Sequence, residues 1–437
     1  MKPVPQPRPV SGDMQWFVDA RFGMFIHWGL YAMPARHEWV KKHERIAEDD
    51  YQKYFELFNP DRFEPRVWAR AARDAGMKYF VITTKHHEGF CLWDSQYTDY
   101  KATNCAGGRD LLREVVDAFR AEGLRIGFYY SLIDWHHPQF PIDPLHPRSE
   151  DPDALEQNKQ RDMGVYRQYM HNQVRELLTE FGTIDILWFD FSYPHAERNG
   201  LKGKGHEDWG SEELLAMVRE LQPGIIVNNR LDLPPGAADV HTPEQFQPRQ
   251  WVTVDGAPVY WETCQTFSGS WGYHRDEASW KSPGQLVRML VNCVSTGGNL
   301  LMNVGPTSRG TFDDRALAAL DVYGQWLRQN GRSIYGCTQS EFEAPPDCRL
   351  TQKGDRLYVH VFAWPFKHLH LDGLAGKVKY AQFLHDGSEV SFRETTNHEH
   401  SALSEKQREG TVTLILPVHA PKVIVPVIEL IIDGGEE

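Results

Sequence analysis

Seven short apolar runs in this chain end in side chains that can do acid–base chemistry or bind polar ligands. One run, Ile186-Leu187-Trp188-Phe189, leads directly into Asp190. Burying a carboxylate without a partner is costly, so a carboxylate at this place indicates a paired or functional group. With 14 Trp, 17 Tyr and 22 Phe in the chain, the pattern predicts a polar pocket with aromatic walls, which suits a sugar. The other runs end at or lead into His27, His86-His87-Glu88, Tyr129, Asn229-Arg230, Glu262 and Asn303.

Asp190 is the first candidate for a catalytic group. A retaining glycosidase needs one ionised carboxylate as nucleophile and a second carboxyl, about 5 Å away, as acid/base. Arg230 could keep Asp190 ionised, because a nearby cation lowers the pKa of a carboxyl group. The second carboxyl has two candidates, Glu244 in the Pro-rich stretch 241–245 and Glu262. The residue pattern leaves both open.

Metal and nucleotide chemistry find little support in the sequence. The pairs His86-His87 and His136-His137 place neighbouring side chains on opposite faces of a strand, which makes them poor joint ligands. The chain contains neither an H-E-x-x-H motif nor a cysteine cluster. It also lacks a P-loop and a G-x-G-x-x-G motif. The sequence therefore predicts no metal and no cofactor.

The elements that must position these residues alternate between strand-like and helix-like segments from about residue 20 to 330. Continuous apolar runs are typical of parallel strands buried on both faces. Seven strand–helix units predict an α/β fold with a TIM-like (β/α) barrel over residues 1–338. Its eighth strand is not recognisable, so the barrel is expected to be irregular. Residues 339–437 predict a C-terminal β-sandwich, with strands at 356–362, 410–416 and 422–428.

Composition narrows the partners and the location. The net charge is −13, from 47 basic and 60 acidic residues, which argues against a nucleic-acid partner. The sequence contains no stretch of eighteen apolar residues, which is the length needed to span a membrane. Its polar, Pro-rich start does not resemble a signal peptide. Six scattered cysteines predict free thiols in a reducing cytoplasm. A secreted or periplasmic location would follow if a leader had been removed, and the sequence is compatible with a homo-oligomer.

Several long motifs, in order along the chain, resemble the α-L-fucosidases of glycoside hydrolase family 29. They are Arg21-Phe22-Gly23-Met24-Phe25-Ile26-His27-Trp28-Gly29, Thr84-Lys85-His86-His87-Glu88-Gly89-Phe90, Trp188-Phe189-Asp190, Trp271-Gly272-Tyr273 and Gly297-Gly298-Asn299-Leu300-Leu301-Met302-Asn303-Val304-Gly305-Pro306. The resemblance implies a retaining mechanism through a covalent fucosyl-enzyme, with fucosylated oligosaccharides or glycoconjugates as substrates. The alternatives are a glycosidase of the same fold acting on a related sugar, such as an α-L-galactoside, and a fucose-binding protein without catalysis.

The resemblance also assigns roles to individual residues. Asp190 matches the nucleophile of the family. Glu244 is the preferred acid/base, because its Thr-Pro-Glu is similar to the acid/base segment of one branch, and Glu262 is the alternative. Trp271 falls where the family often has an aromatic ring near the methyl group of the sugar. The positions that match residues binding fucose hydroxyls or supporting the nucleophile are His27, Glu38, Trp39, His86, His87, Tyr129 and Arg230.

Overall fold

The computed structural model describes residues 3–394 and 410–433. Up to residue 337, the elements that form the main sheet alternate with helices. The strands of this part are β1 (Phe22–Ile26), β2 (Tyr79–Lys85), β3 (Arg125–Ser131), β4 (Ile186–Asp190), β5 (Glu197–Arg198), β6 (Leu201–Lys202), β7 (Ile226–Val227), β8 (Thr253–Val254), β9 (Ala257–Pro258), β10 (Glu262–Thr266) and β11 (Asn299–Val304).

The helices surround this sheet, and several begin at a side chain that caps the first turn. Asp110 accepts a hydrogen bond from the Arg113 amide, and Ser282 precedes Pro283 in a capping box with Gln285. The helices are α1 (Met14–Ala20), α2 (Val40–His43), α3 (Glu48–Leu57), α4 (Pro65–Asp74), α5 (Leu111–Ala121), α6 (Ala154–Asn158), α7 (Met163–Glu180), α8 (His206–Trp209), α9 (Ser211–Leu221), α10 (Pro283–Ser295) and α11 (Asp314–Asn330), with short 3₁₀ turns at Leu30–Ala32, Ala102–Asn104, Pro235–Ala237 and Gly331–Ser333.

The main sheet has seven parallel strands in the order β10-β11-β1-β2-β3-β4-β7. All residues of β1, β2, β4, β10 and β11 are buried, as expected for strands covered on both faces. The register brings the carboxyl ends of the strands together: Ser131 pairs with Asp190, and Phe25 pairs with Asn303. Side chains at the ends of these strands therefore share one rim.

The segment 240–244 closes this sheet into a barrel. Val240 pairs with Asn228 beside β7, and His241 and Glu244 pair with Trp261 and Cys264 at β10, all in parallel orientation. The bridges are isolated, and Pro243 lies within the segment. A proline cannot donate to a strand ladder, so this closing segment stays irregular. It occupies the place of the eighth strand that the sequence pattern does not reveal.

The C-terminal part consists of two antiparallel sheets. A five-stranded sheet has the order β12-β13-β14-β19-β16, and a three-stranded sheet has the order β15-β18-β17. The strands are β12 (Thr338–Gln339), β13 (Cys348–Lys353), β14 (Arg356–Val361), β15 (His368–Leu371), β16 (Val378–Phe383), β17 (Phe392–Glu394), β18 (Val412–Ile415) and β19 (Val427–Ile432).

Together these parts form the (β/α) barrel with a C-terminal β-sandwich that the sequence predicts. The strand expected at 422–428 is displaced, because β19 begins only at Val427, directly after Pro426. Side chains from both sheets share a core of their own, including Leu357, Leu369 and Leu414. We propose to keep the domain boundary at 338/339, within the short strand β12 that opens the antiparallel sheet. No helix in the described ranges is both long and apolar enough to cross a membrane.

A buried ion pair supports the turn that carries His86 and His87. Lys85, the last residue of β2, is fully buried, and its Nζ lies 3.0 Å from Oδ2 of Asp134. The ammonium group also lies 4.5 Å from the centre of the Tyr130 ring, within range of a cation–π contact. A buried charge depends strongly on its partner, so this pair is sensitive to loss of either side.

Replacing Lys85 by Met should destabilise the protein by about 3–5 kcal/mol, because Asp134 would remain as a buried, unpaired charge. The quantity to measure is the midpoint of urea unfolding followed by tryptophan fluorescence. Lys159→Met is the matched control, since Lys159 is 72% exposed and pairs only with exposed Glu156. Equal midpoints for the two variants would contradict the importance of the buried pair.

Candidate active site

A small cavity opens at the rim where the parallel strands end. Nine of the eleven predicted site residues line it. The lining residues are Phe25, His27, Glu38, Trp39, His86, His87, Tyr129, Trp188, Asp190, Phe191, Glu244, Cys264 and Trp271. Arg230 contacts three of these residues, Asp190, Glu244 and Trp188, from outside the lining, whereas Glu262 lies elsewhere.

Asp190 is held from both sides by hydrogen bonds. Its Oδ1 accepts from Nη1 of Arg230 at 3.2 Å and from the Phe191 amide at 3.1 Å. Its Oδ2 accepts from the Tyr129 hydroxyl at 2.8 Å. The amide contact depends on the backbone of Phe191, whose φ of 76° lies in the left-handed region. A bulky residue rarely adopts this conformation, and such strain is concentrated at functional sites.

The pKa of Asp190 is higher than the pairing with Arg230 alone would suggest. Burial raises the pKa of Asp190 to about 7, and the nearby Glu244 carboxylate adds to this increase. Arg230 and the hydrogen bond from Tyr129 act in the opposite direction, as a cation and a donor should. The arginine therefore lowers the pKa as predicted, but burial outweighs it. Asp190 is ionised only above about pH 7.

Arg230 connects Asp190 with the second carboxylate, Glu244. Its Nη1 binds Asp190, and its Nη2 donates to Oε2 of Glu244 at 3.0 Å. The guanidinium also lies 4.9 Å from the ring centre of Trp188. The Glu244 side chain is 41% exposed, so it stands at the mouth of the cavity, whereas that of Asp190 is 10% exposed and lies deeper.

His27 presents a hydrogen-bond acceptor to the cavity. Asn303 donates through Nδ2 to the Trp271 carbonyl at 2.6 Å, which leaves its Oδ1 to accept from Nδ1 of His27 at 2.6 Å. Nε2 of His27 is consequently unprotonated in the neutral ring. Burial lowers the pKa of His27 to about 3, so the ring is neutral at any ordinary pH.

His87 has the same tautomer for a similar reason. The Ser131 hydroxyl donates to the Ile133 carbonyl at 2.7 Å, and its oxygen accepts from Nδ1 of His87 at 2.7 Å. Burial lowers the pKa of both His86 and His87 well below the usual value, with a further decrease from neighbouring histidines and, for His87, from Lys85. The cavity thus offers neutral imidazole acceptors, which suit the hydroxyl groups of a ligand.

Glu38 fixes the loop that carries Trp271. Its Oε2 accepts from the amides of Trp271 and Gly272 at 3.2 and 2.9 Å and from the Ser270 hydroxyl at 3.3 Å. Gly272 packs so closely that an added Cβ would lie 2.9 Å from the Tyr31 ring and 3.1 Å from Cβ of Glu38. Oε1 of Glu38 lies 3.3 Å from Nε2 of His37. This oxygen is a further buried acceptor in the lining.

Glu262 lies apart from the cavity. It is the first residue of β10 and pairs with Asn299, the first residue of β11, whereas the cavity lies at the opposite ends of the strands. Its carboxyl accepts a short hydrogen bond from the Tyr79 hydroxyl. Burial raises the pKa of Glu262 to about 7, with the Tyr79 bond as an opposing influence. The structure thus brings Asp190 together with Glu244 and not with Glu262.

Four lining residues were not predicted as site residues: Phe25, Trp188, Phe191 and Cys264. Side chains two positions apart on a strand share a face, so His27 could have indicated Phe25, and Asp190 could have indicated Trp188. Phe191 follows Asp190 directly. Cys264 reaches the lining because it pairs with Glu244 across the closing segment, which the sequence pattern does not reveal.

The arrangement defines a class of protein. A pair of carboxylates bridged by one arginine, neutral acceptors for hydroxyl groups and aromatic walls meet at the carboxyl-end rim of a (β/α) barrel. Paired carboxyls are the machinery of glycoside hydrolysis, and this rim is where barrel enzymes act. No group of three His, Cys, Asp or Glu side chains suited to a metal ion occurs in residues 3–394 and 410–433. The fold and the site are those of a glycoside hydrolase.

Comparison with known proteins identifies the family. The family model described as Alpha-L-fucosidase matches residues 8–332, so the chain belongs to the α-L-fucosidase family, glycoside hydrolase family 29. Plasma alpha-L-fucosidase of Homo sapiens is 30% identical over 384 residues, which cover 80% of this chain and 76% of that protein. The resemblance noted from the sequence motifs is thereby confirmed.

Solved structures agree with this assignment. Alpha-L-fucosidase isoenzyme 1 from Paenibacillus thiaminolyticus is 47% identical, with a TM-score of 0.88 over 96% of this chain and 98% of that one. A GH29 alpha-L-fucosidase from Bacteroides thetaiotaomicron, solved as a trapped covalent intermediate with 2-fluoro-fucosyl fluoride, is 29% identical. Its TM-score is 0.82, with coverage of 99% of this chain and 100% of that one.

Asp190→Asn should stabilise the protein at pH 8 but have little effect near pH 4.5. The pKa of Asp190 is about 7 in the folded chain, against an ordinary value of 3.8 for an aspartate. A raised folded-state pKa contributes stability that is present below the unfolded pKa and is lost as pH rises through the folded value. The amide removes the cost of the buried charge, so its benefit appears only at the higher pH.

The measurement is the thermal unfolding midpoint of both proteins from pH 4.5 to pH 8. Glu156→Gln is the control, because the Glu156 side chain is 70% exposed and its loss should give no comparable pH dependence. A stabilisation by Asp190→Asn that did not grow with pH would contradict the raised pKa.

Proposed function

We infer that this protein is a retaining α-L-fucosidase that removes terminal α-L-fucose from oligosaccharides or glycoconjugates. The observation that carries the inference is the pair of carboxylates, Asp190 and Glu244, bound to the same Arg230 at the cavity mouth. Membership of the family supplies the substrate, since a relative of the same fold was trapped as a covalent intermediate with a fucosyl fluoride.

In the first step, we assign Asp190 as the nucleophile that attacks the anomeric carbon. Oδ1 already accepts two hydrogen bonds, whereas Oδ2 accepts only the one from Tyr129. Oδ2 therefore keeps a lone pair and forms the new C–O bond. The bond to the leaving oxygen breaks as Glu244 gives that oxygen its proton. The sugar is then held as an ester of β configuration.

In the second step, Glu244 acts as the base. It takes a proton from water, whose oxygen attacks the anomeric carbon as the bond to Asp190 breaks. Two inversions return the α configuration. The exposure of Glu244 supports this role, because an acid/base must meet both the leaving group and the incoming water. Glu262 is the weaker candidate, since it lies at the opposite strand ends and is bound to Tyr79.

The remaining lining residues are proposed to recognise fucose. His27, His86, His87 and Glu38 present buried acceptors or neutral rings suited to hydroxyl groups. Trp39 packs against His87 with ring centres 5.0 Å apart, which restrains both side chains.

An apolar wall is proposed to take the methyl group of fucose. Phe25 and Trp271 lie with ring centres 6.0 Å apart, and Phe25 and Trp188 lie 5.3 Å apart. A 6-hydroxyl group placed there would lack a partner, which disfavours an α-L-galactoside.

We also propose that the protein works in a reducing compartment such as the cytoplasm. The support for this location is that all six cysteines are unpaired, and five of them are buried. Disulfides are rare where thiols are kept reduced.

The function is tested by hydrolysis of 4-nitrophenyl α-L-fucoside, with the product followed by proton NMR. We expect α-L-fucose to form first and to equilibrate later with its β anomer. The matching α-L-galactoside should react about tenfold to hundredfold more slowly, because its 6-hydroxyl group meets the apolar wall. Equal rates would favour the related-sugar alternative, and binding of fucose without hydrolysis would favour a non-catalytic protein.

The roles of the two carboxylates are tested with azide as an added nucleophile. Asp190→Ala cannot form the ester, so azide should displace an activated leaving group directly and give the β-fucosyl azide. Glu244→Ala should still form the ester from an activated fucoside, and azide should then give the α-fucosyl azide. The two products differ because the anomeric carbon is inverted once in Asp190→Ala and twice in Glu244→Ala.

Glu262→Gln is the matched comparison for Glu244. It should show no rescue by azide and the same preference between good and poor leaving groups as the parent. If Glu262→Gln showed the rescue and Glu244→Ala did not, the acid/base assignment would have to be exchanged.

A further inference from the structure

The closing segment 240–244 is held more loosely than the strands on either side of it. Only a few backbone hydrogen bonds join it to the barrel, among them His241 to the Tyr260 carbonyl at 2.9 Å and the Gln245 amide to the Cys264 carbonyl at 3.1 Å. Gln245, just after Glu244, has a φ of 53° in the left-handed region. Side-chain contacts must therefore help to hold this segment in place.

Thr242 makes the side-chain contacts that hold the closing segment in place. Its hydroxyl donates to Oδ1 of Asn229 at 3.1 Å, and the same Asn229 oxygen accepts from the Thr242 amide at 3.1 Å. The hydroxyl oxygen accepts from Nε of Arg230 at 3.0 Å, and the Thr242 carbonyl accepts from Nη2 of Arg230 at 3.1 Å. Thr242 is 5% exposed, so its side of these bonds is buried, whereas Asn229 is exposed.

The contacts determine how the guanidinium faces the two carboxylates. With Nε and Nη2 bound to Thr242, the plane of Arg230 is fixed, and Nη1 is directed at Asp190. Residues two apart on an extended segment share a face. Thr242 and Glu244 thus approach Arg230 from the same side, and Nη2 is shared between them.

We propose that Thr242, held by Asn229, is a positioning residue that sets the placement of Glu244 relative to Arg230 and Asp190. The proposal rests on the function inferred above, in which Glu244 protonates the leaving group. Loss of the Thr242 hydroxyl leaves Nε of Arg230 without its acceptor and removes one of the two hydrogen bonds that join the segment to Asn229. The rate should then fall most for substrates whose leaving group needs a proton from Glu244.

The test compares Thr242→Val, which keeps the shape and removes the hydroxyl, with Thr242→Ser, which keeps the hydroxyl. Each variant is assayed for kcat/KM on 2,4-dinitrophenyl α-L-fucoside, which needs no proton donor, and on a fucosylated disaccharide, which does. We expect Thr242→Val to lose about tenfold on the disaccharide, equivalent to about 1.4 kcal/mol, and little on the activated substrate. Thr242→Ser should restore the parent ratio.

Two further variants keep the test decisive. Thr351→Val is the control, because Thr351 is fully buried in the sandwich and its hydroxyl donates to the Ser333 carbonyl at 2.7 Å, remote from the cavity. Its ratio of rates should match the parent. If Thr242→Val does not fold, Asn229→Ala removes both hydrogen bonds that Thr242 makes to Asn229, at an exposed position. It should also slow the disaccharide more than the activated substrate.

The outcomes separate this inference from the proposed function. Glu244→Ala should show the split between substrates in its strongest form. If Glu244→Ala shows the split while Thr242→Val and Asn229→Ala lower both rates equally or not at all, the positioning role is overturned. If Glu244→Ala shows no split, the acid/base assignment itself has failed.

Discussion

The site depends on one cation placed between two carboxylates. Asp190 and Glu244 would repel each other when both are ionised, and Arg230 offsets this repulsion by binding both. Its planar fork also sets their spacing, which a lysine could not do with a single point charge. The Trp188 ring lies 4.9 Å from the guanidinium carbon and supports it from one side. Placement of this one group determines whether the carboxylates can cooperate.

The barrel holds these two carboxylates in different ways. Asp190 ends β4, which is buried throughout and pairs with β3 as far as Asp190 itself, so continuous strand pairing holds the nucleophile on that side. Glu244 belongs to the closing segment, where pairing is intermittent. An attacking atom must stay fixed relative to the sugar ring, whereas an acid/base must serve first a leaving group and then water. Regular and irregular pairing match these separate demands.

Much of this could be predicted from the sequence, because buried parallel strands have continuous apolar runs and the carboxyl ends of such strands share one rim. Asp190 was recognisable on that ground. The closing segment was not, since Pro243 and the isolated bridges leave no strand pattern. The choice between Glu244 and Glu262 was hidden for the same reason: only the register shows that Glu262 opens β10, at the far ends of the strands. The start of β19 lies later than hydropathy alone suggests, because Pro426 directly precedes the strand.

The thiol of Cys264 offers a site for covalent attachment of a ligand in the cavity. It lines the cavity opposite Glu244, and burial, together with the nearby carboxylates, raises its pKa well above the usual value despite Arg230. A protonated thiol reacts slowly with ordinary alkylating agents and oxidants. A sugar-shaped ligand bearing a mild electrophile would be held beside it for the lifetime of the complex. Such a compound would bond irreversibly only after it had bound in the cavity, which makes this cysteine an anchor for activity-based labels.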